Sequence, residues 1–157
     1  VIDMSVDTMA RLYELKNIAG VKDATGDLNR LDKTIKKLGP EFIQLTGEDG
    51  LAFKFNKRGG VGIISVTANV APKLCSDMQK YSKSQSENEI KEAKKIDQML
   101  QPLHKSLFIE SNPAPVKYAA SLLNISTEDV RLPLVKITNE TKEKVKSAMI
   151  YANLIQK

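Results

Sequence analysis

Apolar residues follow two kinds of pattern along this chain. Up to about residue 69, stretches at helical spacing alternate with short, nearly continuous apolar runs. Met9, Leu12 and Leu15 share one face of a helix that Ser5 can cap and Asn17 can end. Ile18-Ala-Gly-Val-Lys22 then reads as a strand. Gly26-Asp27 supplies a turn and a cap for a second helix carrying Leu28, Leu31, Ile35 and Leu38, which Gly39-Pro40 stops. Phe42 to Thr46 is the next strand, Gly47 to Gly50 a turn, and Leu51 to Asn56 a short helix. Gly59-Gly60 leads into a third strand, Val61 to Val66.

Strands that are apolar almost throughout are expected to be buried on both faces, as in a parallel sheet with helices outside. Their tight recurrence suits a barrel of βα units. From Val70 onward the pattern is helical only. Pro72 suits the first turn of a helix with Leu74, Met78 and Tyr81, and Ile90 to Leu103 mark the next. Asn112-Pro113 reads as a cap and first-turn proline for a helix with Val116, Ala119, Ala120 and Leu123. Asp129 to Ile137 is a proline-broken extended linker, and Glu140 to about Leu154 a final helix. The expected fold class is therefore α/β, with residues 1–69 forming three strands of a larger parallel architecture and residues 70–157 a helical region. Three parallel strands cannot close a barrel and leave two edges unpaired. The chain also opens on Val1 and runs straight into a helix, so it is expected to be a piece of a longer protein.

Composition narrows the function classes. Hydrophobic residues at 41% and charged residues at 27% fit a globular protein. No apolar run approaches the ~20 residues that span a bilayer, and no signal peptide opens the sequence. The single cysteine, Cys75, cannot form an internal disulfide, which suits a reducing cytoplasm. A net charge of +5 raises nucleic acid as a partner. Lys91, Lys94 and Lys95, however, interleave with Glu87, Glu89 and Glu92, the pattern of a solvated helix face. Aromatic residues are only 5%, with no tryptophan, so no stacking platform for bases is evident. Neither nucleic acid nor membrane is expected as a partner; the basic excess fits small anionic substrates.

Lys22 is the first candidate for chemistry. It ends a parallel-type strand, and α/β active sites are built at such carboxyl ends. Among apolar walls its ammonium form would be disfavoured, freeing the amine to attack a carbonyl. A lysine simply emerging into solvent at a strand end fits the pattern better, and the residues alone do not single out the chemistry. Gly59-Gly60 precedes its strand, at the wrong end for a phosphate cradle. His104 has no metal-spaced partner, and Pro102 nearby suggests a helix end, so a surface or capping role is expected. Cys75 reads as packing. Glu48-Asp49 reads as a turn and helix start, since adjacent side chains point apart.

Five segments agree in order and spacing with a known family. Gly20-Val-Lys-Asp-Ala-Thr-Gly-Asp27 resembles the Schiff-base lysine segment of the dihydrodipicolinate synthase family. Leu45-Thr-Gly-Glu-Asp49 and Gly60-Val-Gly-Ile-Ile-Ser-Val-Thr-Ala-Asn69 are similar to two further segments of its barrel. Asn112-Pro-Ala-Pro-Val-Lys-Tyr-Ala119 and Arg131-Leu-Pro-Leu134 match signatures beyond it. The resemblance implies the last three strands of a (β/α)8 TIM barrel followed by an all-helical region. It implies that Lys22 condenses with pyruvate to an enamine that adds to aspartate semialdehyde, in lysine and diaminopimelate biosynthesis. It also implies that the backbone at Gly47 and Ile64 lines the pyruvate pocket, that no metal or cofactor takes part beyond the covalent imine, and that the protein is a cytoplasmic homotetramer. From the residues alone, Gly47 reads as an ordinary turn residue and Ile64 as a core strand residue. The family's threonine pair, its relay tyrosine and its aldehyde-steadying arginine have no match here and are expected to precede Val1, in a missing amino-terminal half. The isolated chain is accordingly expected to be inactive or very weak. The alternatives are a catalytically silent fragment or assembly module, and a related aldolase of the N-acetylneuraminate lyase type. Asp23-Ala-Thr25 and the Asn112 segment favour the family's namesake reaction.

Overall fold

Local capping chemistry sets the first elements. In a computed structural model, which describes residues 3–156, the Ser5 hydroxyl accepts the Thr8 N–H at 3.1 Å and opens α1, Val6–Tyr13. Asp27 does the same for α2, Leu28–Leu38, accepting the Asn29 N–H at 2.9 Å. Gly39, at φ 84°, ends α2 in a conformation few other residues adopt cheaply. Between and after them lie β1, Gly20–Asp23, and β2, Ile43–Thr46. A 3-10 turn at Asp49–Leu51 leads into α3, Ala52–Lys57, and then β3, Gly62–Ile63. The strands are parallel in the order β1-β2-β3, with Lys22 beside Leu45 and Leu45 beside Gly62. Ladder bonds from Val61 N–H to Gln44 O and from Ile64 N–H to Thr46 O extend the β2–β3 pairing at both ends, at 3.0 and 2.9 Å.

The chain divides into two compact units, residues 1–64 and 65–157. In the first, Met9, Leu31, Phe42, Ala52 and Phe55 are buried, and Tyr13 meets the Phe42 ring edge-on at 4.9 Å. The expectation of a sheet buried on both faces is not met. One face, carrying Gln44 and Thr46, is covered and borders a small space shared with Leu28 and Leu31 of α2 and Phe55 of α3. The other carries Lys22, Ile43, Leu45 and Ile64, and Ile43 and Ile64 stand 45% and 55% exposed. In β2 the polar residues thus point inward and the apolar ones outward, which inverts the usual alternation of a half-covered strand.

The second unit holds α4, Pro72–Ser82, α5, Glu87–Ser106, α6, Ala114–Leu122, and α7, Asn139–Tyr151, and no strand among its described residues. Leu100, Leu103, Leu107, Val145 and Met149 form its most deeply buried cluster. The expected third strand ends early because Ser65 Oγ accepts the Ala68 N–H at 2.9 Å and bends the chain into a 3-10 turn at Thr67–Asn69. α5 does not end near Pro102 but runs to Ser106. The α6 cap falls on Pro113 rather than Asn112, and α7 closes at Tyr151, where Asn153 takes φ 56° and Leu154 N–H returns to Met149 O. Residues 125–138 are irregular, as the proline-broken pattern predicts. No helix among the described residues is long and apolar enough to cross a membrane.

Candidate functional site

The strand register brings Lys22, Gly47 and Ile64 together at the carboxyl ends of β1, β2 and β3. Lys22 is the penultimate residue of β1 and lies opposite Leu45. Gly47 directly follows β2, and its N–H donates to Asp23 O at 2.7 Å, so the turn is bonded to the end of the lysine strand. Ile64 directly follows β3 and donates its N–H to Thr46 O, which sets it against the peptide preceding Gly47. A methyl group at Gly47 would lie 2.5 Å from Lys22 Cε and 3.0 Å from Nζ. Glycine is what lets the amine rest against this turn.

The environment of Lys22 differs from expectation. Its side chain is exposed, not dry, and Ile43 and Ile64 on the same face stand open with it. Asp23, one position on, points to the opposite face. There its Oδ1 accepts the Thr25 N–H and hydroxyl at 2.7 and 2.6 Å, and its Oδ2 lies 2.7 Å from Arg30 Nε in an ion pair. This Asp23–Thr25–Arg30 group was not singled out from sequence, although Asp, Thr, Gly and Asp in five consecutive positions are typical of side-chain-stabilised turns. A cavity of about 10 Å³, room for one water, adjoins Asp23, Gln44 and Thr46 on that covered face.

The other candidates have structural roles. His104 is not on the surface: it is 5% exposed and its Nδ1 lies 2.7 Å from the Thr67 hydroxyl, which is itself buried. Cys75 is buried. Glu48 caps the 3-10 turn through Gly50 N–H, and Asp49 is buried. No group of three or more His, Cys, Asp or Glu among the described residues could hold a metal.

The lysine, the glycine turn and the third strand end stand on the carboxyl rim of a parallel sheet, the edge at which α/β proteins generally build their sites. Residues 1–152 match the dihydrodipicolinate synthetase family, and the chain belongs to that family of lyases. It is 63% identical over 155 residues to a 4-hydroxy-tetrahydrodipicolinate synthase of Pelagibacter ubique, covering 99% of this chain and 53% of that protein. A synthase of the same name from Rhodospirillum centenum is 52% identical, over 99% and 52% of the two chains. Among solved structures, dihydrodipicolinate synthase of Aquifex aeolicus superposes with a TM-score of 0.89 at 35% identity, over 97% of this chain and 51% of that one. The chloride-inhibited enzyme of Acinetobacter baumannii, complexed with pyruvate, superposes at 0.90 and 37% identity, over 98% and 52%. The chain thus spans about half the length of the relatives it matches.

Proposed function

We propose that this chain is the carboxyl-terminal part of a (β/α)8-barrel lyase that condenses pyruvate with aspartate semialdehyde through an imine on Lys22. Residues 1–69 supply three barrel strands, and residues 70–157 the last barrel helix and a helical region. The observation that carries the reading is the contact of the Lys22 amine with the Gly47 turn, at the carboxyl ends of adjacent parallel strands.

In this reading the uncharged Lys22 Nζ adds to the keto carbon of pyruvate, and the carbinolamine loses water to give an imine. Loss of a methyl proton yields an enamine whose carbon attacks the semialdehyde carbonyl, and the resulting alkoxide takes up a proton. The substrate's own amino group then displaces Lys22 from the imine carbon, closing the ring of 4-hydroxy-tetrahydrodipicolinate and freeing the lysine. The backbone at Gly47 and Ile64 borders the pyruvate. Desolvation of Lys22 falls to barrel strands outside this chain, which also carry the proton relay. No metal or further cofactor enters, and the protein works in the cytoplasm as a homotetramer.

The exposure of Lys22 favours a second reading, in which the chain by itself is catalytically silent. Reduction with borohydride in the presence of pyruvate, followed by intact mass and peptide mapping, separates the two. The first reading expects a reduced pyruvate adduct on the Lys22 peptide of the full-length protein, absent in Lys22→Ala. A folded full-length sample that gains no adduct overturns it. An adduct on the full-length protein but none on the folded 157-residue chain assigns silence to the chain alone. Product analysis with other aldehydes would distinguish an aldolase of the N-acetylneuraminate lyase type.

A further inference from the structure

We propose that Arg30 and Asp23 are positioning residues that clamp the end of β1 and so aim Lys22; this rests on Lys22 being the imine-forming lysine. β1 has only four residues, and Lys22 and Asp23 are its last two. Alternation sends Lys22 to the open face and Asp23 to the covered one. Any rotation of the strand end therefore moves both side chains, and a group that grips Asp23 aims Lys22.

The grip has three parts. Asp23 Oδ1 takes two donors from Thr25, at 2.7 and 2.6 Å, which closes the turn leaving the strand. Asp23 Oδ2 meets Arg30 Nε at 2.7 Å, with both side chains only about 15% exposed. The main-chain carbonyl of Asp23 receives the Gly47 N–H, so the same residue ties the lysine strand to the turn its amine touches. Arg30 is held in turn from its other side. It sits in the first turn of α2, pairs with Asp3 at 2.9 Å, and donates to the Met4 carbonyl just before α1. From its place in α2 the guanidinium pairs by charge with Asp23 of β1 and donates to Asp3 and the Met4 carbonyl before α1, a span that its extended planar group covers better than a lysine's compact ammonium.

The consequence for catalysis follows from leverage. A tilt of about 10° at the strand end displaces the far end of a lysine by about 1 Å, and a misplacement of that size can cost ~100-fold in rate. A merely stabilising ion pair predicts something different. Removing one partner of a largely buried pair strands the other charge, and a purely structural role shows that as a lower melting temperature with the rate unchanged.

The test uses the full-length protein and reads three quantities: the saturating rate of pyruvate-dependent borohydride trapping, the pyruvate concentration at half-saturation, and Tm. Arg30→Ala and Asp23→Asn are expected to lower the saturating rate ~10- to 100-fold with half-saturation moved far less. Asp23→Glu, which keeps the charge, is expected to restore most of the rate, and Arg30→Lys to restore little. Trapping at the unmutated saturating rate in folded Arg30→Ala overturns the clamp, as does a fall in Tm alone. Should Arg30→Ala not fold, Thr25→Val deletes one donor to Asp23. A several-fold slower saturating rate then supports the clamp, and an unchanged one overturns it. If the unmutated protein forms no adduct, the role of Lys22 falls separately. The clamp is then read from exchange of the Gly47 amide, expected ~10-fold faster in Arg30→Ala or Thr25→Val; unchanged exchange overturns it.

Discussion

At the scale of single residues, Gly47 makes the sharpest test of how the amine is held. A Cβ there would lie 2.5 Å from Lys22 Cε and 2.9 Å from Ala24 Cβ, both closer than atoms can pack. Lys22 is flexible and exposed, so it can swing away at small cost, while Ala24 must shift a little with its backbone. Gly47→Ala is therefore expected to lose about 1–3 kcal/mol of stability yet lose pyruvate trapping by ~100-fold. Denaturant melts and trapping rates on the same sample check this, and trapping that survives intact removes Gly47 from the site. That Lys22 and Gly47 share one rim was legible only through the family resemblance of their motifs, since the residues alone left a solvent lysine and an ordinary turn glycine open. Arg30 was not, because a contact between a strand end and a helix seven residues on leaves no periodic trace. His104 was misread for a related reason. Pro102 signals a helix end locally, but Ile96, Leu100 and Leu103 are all buried on the same helix. Burying that row outweighs the ~3 kcal/mol a helical proline costs.

At the scale of elements, the irregular stretch before α7 is fastened by charge. Glu128 is held below the usual glutamate range, first by the Lys142 ammonium at 2.7 Å and also by Lys136. Asp129 is lowered chiefly by Lys136, 3.1 Å away. Glu110 is lowered by the Thr141 hydroxyl and by the Thr138 N–H, which it accepts at 3.0 Å at the start of α7. A depressed carboxylate pKa stabilises the fold above the ordinary value, and that stability goes as pH falls through the lower folded one. For the two glutamates the loss begins below about pH 4.5. Lys136, raised by Asp129 and then Glu128, behaves oppositely: its contribution is complete below 10.5 and lost only above it. Residues 125–138 are thus expected to gain amide exchange, corrected for intrinsic rate, as pH drops from about 6 to about 3. Equal protection at both pH values would count against the fastening. That a linker lies about Pro133 was readable, though it opens at residue 125, ahead of the expected Asp129; the ion pairs holding it were not, since they link residues brought together only by the fold.

At the scale of the whole molecule, the order of helices and strands was readable and the state of the sheet was not. Nearly continuous apolar runs do mark strands of a parallel sheet, but a pattern cannot say which atoms cover each face. Among the described residues β1 and β3 pair on one side only, and the face bearing Lys22 leaves Ile43 and Ile64 exposed. Unpaired edges and exposed apolar residues on one sheet form a surface that seeks a partner. The 157-residue chain alone is therefore expected to self-associate. Light scattering across about 10–100 μM should show mass rising with concentration, and Ile43→Lys with Ile64→Lys should suppress the rise. Supplying the rest of the full-length protein as a second chain should convert the mixture to one discrete complex and speed trapping at Lys22, because the added strands exclude water from the amine. A monodisperse monomer with its sheet intact, indifferent to that second chain, would mean that something other than barrel closure satisfies this face, and the desolvation on which the lysine chemistry depends would have no source.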